Sequence, residues 1–222
     1  MLCTEKLAGT GCALLIVCFI SLVPAYGQSY EITPLVGARF GGTMELEQSG
    51  MPNVNAHIAD SVSFGVAGGY RFDTVDPDGH DLIEFRWMRQ NSHLSVNQNP
   101  LTVNPLATPS PQSISLDHFL ADFTHEFIVR EYPHIQPFLT GTVGASVFSA
   151  PASTGARFAF GIGAGVKIFP TARWGVRLKA EYLPTLMHAE LQTLVCAGGC
   201  IVVLNGGVMN QFEVSIGPSF RF

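Results

Sequence analysis

Cys196 and Cys200 enclose a short CAGGC segment, so cysteine chemistry is the first possibility the chain raises. Two thiolates fall short of the four ligands that a structural zinc wants. A redox CxxC motif has two intervening residues, and here there are three. In an exported chain an even pair of cysteines points to a disulfide. A second set carries the residue types of general acid–base catalysis: His57, His93, His118 and His188, with Asp60, Asp117, Glu190 and serines such as Ser61. A general base must lie within about 3 Å of the proton it takes, and no spacing in this set forms a recognisable motif. Gly161, Gly163 and Gly165 imitate a phosphate-binding loop. Such a loop needs a strand that ends and a helix that begins there. These glycines instead alternate inside a strand-like run, where they leave room for opposing Arg or Lys side chains.

The largest set is ionic. Glu31, Arg39, Arg71, Glu84, Arg86, Asp122, Glu126, Arg157, Lys167, Arg177, Lys179, Glu181, Glu213 and Arg221 all fall on one parity of alternating segments. Facing a common interior, they are expected to pair, because a buried charge without a partner is strongly unfavourable. His118 shares this parity near one rim and is expected in the same polar network.

Eight segments with a two-residue period must position these side chains. They are Tyr30 to Gly41, Ser61 to Phe72, Asp81 to Arg89, Leu116 to Phe127, Ile135 to Phe148, Ala156 to Phe169, Trp174 to Leu183 and Asn210 to Phe222. In the second, Val62, Phe64, Val66, Gly68, Tyr70 and Phe72 oppose Ser61, Ser63, Gly65, Ala67, Gly69 and Arg71. The apolar parity is almost free of charge; Asp117, Arg89 and His125 fall on it near segment ends. No segment of core-helix length keeps a 3.6-residue period. The connections 42–60, 90–115 and 184–209 are long, whereas 73–80, 128–134 and 170–173 are short turns. Gln192 to Val195 and Ile201 to Leu204 flank CAGGC with apolar residues, as a hairpin clamped at its tip by the disulfide would require. The rival is a short helix from Leu186 to Leu194.

Residues 1–27 read as a signal peptide, with Lys6 before the apolar run 11–23, then Pro24 and the small residues Ala25 and Gly27. Cleavage is expected before Gln28, leaving 28–222 as one barrel domain. Cys3, Cys12 and Cys18 would leave with the leader. Only 13% of residues are charged against 47% hydrophobic, and the formal net charge is -5. Mean hydropathy is +0.27. These values exclude a disordered chain, a coiled coil and a basic nucleic-acid binder.

An eight-stranded barrel can hide either face. A soluble lipocalin-like barrel buries the apolar parity; a membrane barrel turns it to lipid. The membrane form is favoured by a charged parity rich in Gly, Ser and Ala. It is also favoured by aromatic residues gathered at two levels. Tyr30, Tyr70, Phe72, Phe127, Trp174, Phe220 and Phe222 would ring one edge. Phe40, Phe64, Trp87, Phe119, Phe158, Tyr182 and Phe212 would ring the other. The expected fold is therefore an all-β, eight-stranded, antiparallel up-and-down transmembrane barrel.

With its alternating segments and its ending EVSIGPSFRF, the chain resembles the small outer-membrane barrels of the OmpA-transmembrane-domain and OmpX type over 28–222. The resemblance implies a bacterial outer-membrane location and partnership with outer-membrane lipids and lipopolysaccharide. It also implies recognition of Phe220 and Phe222 by the barrel-assembly machinery. With 28–222 expected to form the barrel, no place is expected in that span for the peptidoglycan-binding domain of OmpA itself. A barrel this narrow is filled by side chains, so the expected role is structural or surface interaction through the outer loops, as a monomer without cofactor or metal. The alternatives are a lipid A-modifying enzyme of the outer leaflet, a chemistry some barrels of this size perform, and a narrow ion-conducting barrel. His125 would face the wrong leaflet for lipid A.

Overall fold

The computed structural model describes residues 30–47, 54–73, 79–96, 112–150, 153–187, 192–195, 201–204 and 207–222. Its strands are β1 (Tyr30–Gly41), β2 (Thr43–Glu47), β3 (Val54–Ile58), β4 (Ser61–Asp73), β5 (Gly79–Val96), β6 (Gln112–Phe127), β7 (Ile135–Ala150), β8 (Ser153–Ile168), β9 (Trp174–Met187), β10 (Gln192–Val195), β11 (Ile201–Leu204) and β12 (Gly207–Arg221). The leader 1–27 lies outside the described residues, as do Cys196, Cys200, His188 and Glu190.

Eight antiparallel strands, β1, β4, β5, β6, β7, β8, β9 and β12, form the closed wall. Closure joins β1 to β12, with Arg39 opposite Glu213 and Glu31 opposite Arg221. A closed sheet leaves no unpaired edge in lipid, which is the condition for strands to cross a bilayer. Tyr30 and Phe222 exchange backbone hydrogen bonds of 3.1 and 3.0 Å at the foot of this seam.

The two parities separate cleanly. Along β1 the burial pattern alternates from exposed Tyr30 to exposed Phe40, with Glu31, Thr33, Leu35 and Arg39 inside. Ile162, on the outer face of β8, is 70% exposed, whereas Lys167, on its inner face, is completely buried. The soluble lipocalin arrangement is thereby overturned: apolar side chains point out. Aromatic contacts cluster at the two edges. Tyr30 lies 5.2 Å from Tyr70 and Trp174 lies 4.4 Å from Phe220 at the edge with the short turns. Tyr182 lies 4.9 Å from Phe212 and Phe64 lies 6.2 Å from Trp87 at the other. These are the paired girdles of a membrane barrel.

Two of the long connections differ from the reading of the sequence, and the third holds the expected hairpin of Gln192–Val195 and Ile201–Leu204. Segment 42–60 holds the hairpin of β2 and β3. Gly41 and Gly42, with φ of 82° and 109°, start it, a backbone that side chains beyond glycine rarely adopt. Segment 90–115 is shorter as a connection, because β5 continues to Val96 and β6 starts at Gln112, paired from Gly79 opposite Phe127 up to Leu94 opposite Gln112. Segment 184–209 holds the end of β9, the β10–β11 pair and the start of β12. Its helical rival is overturned at both ends, since Leu186 and Met187 lie in β9 and Gln192 to Leu194 in β10. Outside the bilayer neither face meets lipid, so the apolar alternation fades while the backbone ladder continues. Pro184 ends the period but not the strand; it falls where the β8–β9 ladder skips from Ile162 opposite Tyr182 to Ala159 opposite Thr185. Lacking an N–H, proline removes one rung without bending β9 out of its pairing with β12.

Candidate functional site

From the edge with the short turns upward, the lumen is filled in layers. At the foot, Lys167 Nζ lies 2.5 Å from Glu31 and 2.6 Å from Glu126. Arg221 reaches Glu31 at 2.9 Å and stacks 3.4 Å over the Phe169 ring. Arg71 pairs with Glu126 at 3.1 Å from a partly exposed position. Above them, Arg177 pairs with Glu84 at 2.5 Å, and its guanidinium lies 5.1 Å from the Phe138 ring. The cation faces of Lys167 and Arg177 thus cap a buried aromatic ring as well as carboxylates.

The central layer gathers three carboxylates and three cations. Arg86, fully buried, meets Asp122 at 2.8 Å, Glu181 at 2.6 Å and Glu213 at 3.5 Å. Lys179 lies 3.1 Å from both Asp122 and Glu181. Arg39 donates from Nε to Glu213 at 2.8 Å. Thr142 Oγ1 lies between Asp122 at 2.7 Å and Glu181 at 2.5 Å, its single proton shared between the two carboxylates. Such saturation is what buried ions require, since a half-satisfied network is worse than an apolar core.

Arg157 departs from the sequence reading. It lies on the inner parity of β8 opposite Ser146, but outside the ionic layers, and donates to the carbonyl of Ala156 at 3.0 Å. Among the described residues no carboxylate pairs with it.

Toward the opposite rim the ionic layers give way to neutral side chains, both polar and apolar. Ile58, Met88, Leu116 and Met209 are fully buried there, with Leu120, Ala159 and Leu183 clustered below. Ile58 descends from β3, held by its N–H to Gly42 O at 3.0 Å. Gln211 Nε2 donates to Gln90 Oε1 at 3.4 Å across this stopper. Sequence reasoning missed it because inward Leu and Met residues break the polar pattern without changing parity. Phe138 and Phe169 were missed likewise. The signal was present in the glycines: Gly165 sits opposite Phe138, and a Cβ there would stand 2.4 Å from the ring. Gly165 therefore makes room for an aromatic ring and not for the Arg or Lys expected. Gly163 does adjoin Lys179, whose Cε would stand 3.1 Å from a Cβ there, and Gly161 adjoins Leu183.

The residue types of acid–base chemistry are dispersed. His118 is fully buried, with Nδ1 2.7 Å from Ser146 Oγ and Nε2 against the Arg39 guanidinium. Arginine can only donate, so Nε2 accepts and the proton resides on Nδ1. His118 then donates to Ser146 and cannot take its proton, and a cation stands where a relay would need a carboxylate. His57 lies on β3 beside Thr43 Oγ1 at 3.3 Å. Asp60 caps the Gly41 N–H at 3.2 Å. Asp117 accepts from Trp87 Nε1 at 3.2 Å and pairs with Arg89 at 3.7 Å on the outer face. Ser61 faces Arg39 across β1 and β4, and exposed His93 lies on β5. His125 is also on the outer face, 2.8 Å from Asp81 near the edge with the short turns.

Above the rim the first and last outer connections join. β2 pairs with β3, β3 with β5, and β11 with both β10 and β2, giving the order β5, β3, β2, β11, β10. Two hairpins from opposite ends of the sequence form one sheet standing on the barrel. The CAGGC residues lie in sequence between β10 and β11, and the expected disulfide of Cys196 and Cys200 falls outside the described residues.

No protein-family model and no curated protein sequence matches the chain. Solved structures do. The outer membrane protein OprG from Pseudomonas aeruginosa aligns with a TM-score of 0.63 at 9% identity, over 87% of this chain and 95% of OprG. Neisserial surface protein A aligns with a TM-score of 0.52 at 15% identity, over 88% and 98%. The fold is that of the small outer-membrane β-barrels.

Proposed function

We propose that this chain is a bacterial outer-membrane barrel with a structural or surface-interaction role, whose working surface is the joined β2–β3 and β10–β11 sheet. The lumen supports the first half of this reading: among the described residues, ionic layers, two capped aromatic rings and a group of buried apolar side chains occupy successive levels of the interior. The outer sheet carries the second. Backbone pairing between β11 and β2 fixes two hairpins against one another, which lowers the ordering cost of binding a partner. Outer-membrane lipids and lipopolysaccharide surround the barrel wall, and Phe220 and Phe222 serve the assembly machinery. The chain acts as a monomer in this reading. A hydrolytic role through His118 and Ser146 is disfavoured by the direction of their hydrogen bond.

Planar-bilayer recordings and whole-cell adhesion test this together. The expected result is a barrel that is heat-modifiable on gels, gives no stable open channel, and mediates adhesion that is lost when residues 188–206 are replaced by a short Gly–Ser turn. Stable conductance steps would overturn the plugged reading, and unchanged adhesion would overturn the assignment to the outer sheet.

A further inference from the structure

The outer wall is not uniformly bulky. Leu139, Ala164, Ala180 and Val214 lie side by side on β7, β8, β9 and β12. Gly141, Ile162, Tyr182 and Phe212 form the adjacent row. Gly141 has nothing within 4 Å of the place a Cβ would take. The result is a groove of about 820 Å³ on the lipid-facing surface, with Gly141, Ala164 and Ala180 as its floor. The rows run across the strands, and barrel strands tilt by roughly 35–45°, so the groove climbs the wall. It starts at His125, two residues from the foot of β6, and rises toward Val214, midway along β12.

Its lower end is polar. His125 Nδ1 lies 2.8 Å from Asp81 Oδ1 on the neighbouring strand. Phe127 packs edge-on against the imidazole at 4.8 Å. The opposite ring edge lies over Gly79, where a Cβ would stand 2.8 Å from Nε2. The imidazole is thereby held by a carboxylate, an aromatic ring and a glycine, in the level of the lower aromatic girdle, where headgroups meet hydrocarbon.

We propose that this groove binds one zwitterionic glycerophospholipid of the periplasm-facing leaflet, its acyl chain on the small-residue floor and its headgroup at the His125–Asp81 pair. The groove opens onto hydrocarbon, and an apolar trough there is filled by a chain. The headgroup choice follows from charge and hydrogen bonding: with the Nδ1 proton donated to Asp81, Nε2 is left as an acceptor, and it and the carboxylate together complement a primary ammonium. A purely anionic headgroup would meet Asp81 unfavourably. This site is separate from the outer sheet, so either assignment can fail alone.

The test is native mass spectrometry of the folded full chain, released from nanodiscs of equal phosphatidylethanolamine and phosphatidylglycerol. Heat-modifiable migration first establishes that each variant is a closed barrel. One retained phosphatidylethanolamine per barrel is expected, enriched at least 5-fold over phosphatidylglycerol, on the order of 1 kcal/mol by the tenfold-per-1.4 kcal/mol relation. Ala180→Trp and Gly141→Leu, which fill the floor, should each abolish retention. Asp81→Asn should keep a lipid but lose the headgroup preference. Val62→Trp, on the same outer surface but outside the groove, should change nothing. Equal retention of both lipids, preference for phosphatidylglycerol, or undiminished retention in both floor-filling variants would overturn the proposal.

Discussion

Replacing Arg86 by Met tests whether the central layer holds the barrel together or merely fills it. In the intact lumen, Asp122, Glu181 and Glu213 are balanced by Arg86, Lys179 and Arg39. The substitution keeps an apolar stem of similar length but leaves three carboxylates facing two cations. Each lost contact near 3 Å represents about 5 kcal/mol of attraction at an effective dielectric of 20, and the ion's desolvation penalty offsets much of that sum. Breaking a buried pair typically costs about 3–5 kcal/mol, because one charge is left uncompensated. Arg86→Met is therefore expected to destabilise by about 4 kcal/mol in urea unfolding from phospholipid vesicles. The companion change is Glu181→Gln, which removes the surplus negative charge while its amide oxygen still accepts from Thr142 and Lys179. The double variant should regain roughly half of the loss, with a coupling within the 0.5–3 kcal/mol range of contacting residues. If Arg86→Met unfolds within about 1 kcal/mol of the parent, or if the double variant is no better than Arg86→Met alone, charge balance is not what the layer contributes.

Gly217→Ala should cost about 2 kcal/mol or more through overpacking, because its Cβ would stand 1.8 Å from Pro34 O. Gly68→Ala, whose added carbon meets nothing within 4 Å, should be neutral or mildly stabilising by the same unfolding assay. Ile162→Arg, on the lipid face, should cost about 2–4 kcal/mol, and a loss below that would place Ile162 away from mid-bilayer. Cys196 and Cys200 should resist thiol alkylation in non-reducing conditions; free thiols in outer-membrane protein would remove the disulfide from the account.

What the sequence made legible was set by contrast between two solvents. Lipid on one side and a crowded polar lumen on the other impose opposite preferences on successive residues, so the parity of all eight wall strands, and with it the inward ions, could be read directly. The partners of those ions could not. Arg86 meets carboxylates from β6, β9 and β12, and which strands face each other across a lumen depends on tilt and register that no single strand encodes. Arg157 shows the limit in the other direction: it obeys the parity, yet among the described residues it pairs with a backbone carbonyl and with no carboxylate. Of the outer sheet, the β10–β11 hairpin was legible from the apolar segments flanking CAGGC, whereas the β2–β3 hairpin and its pairing with β11 were not. Beyond the girdle the contrast between lipid and lumen ends, and with it the two-residue signal, although the strands continue.

Proline positions carry information that a period count discards. Pro34 and Pro218 lie on the lipid face of β1 and β12, in the stretch where the seam pairing skips from Ile32 opposite Phe220 to Val36 opposite Ile216. Neither can donate to a ladder, so the closing seam lacks rungs where a barrel can least spare them. Side chains take over on the luminal side. Thr33 and Ser219 share a hydroxyl hydrogen bond of 2.8 Å, and Arg221 reaches Glu31 at 2.9 Å just below. Gly217 lets the two backbones approach closely enough for this. Closure therefore depends on luminal residues at the seam as well as on the sheet. The ionic plug and the barrel wall are for that reason one structure: the groups that fill the lumen also fasten the first strand to the last.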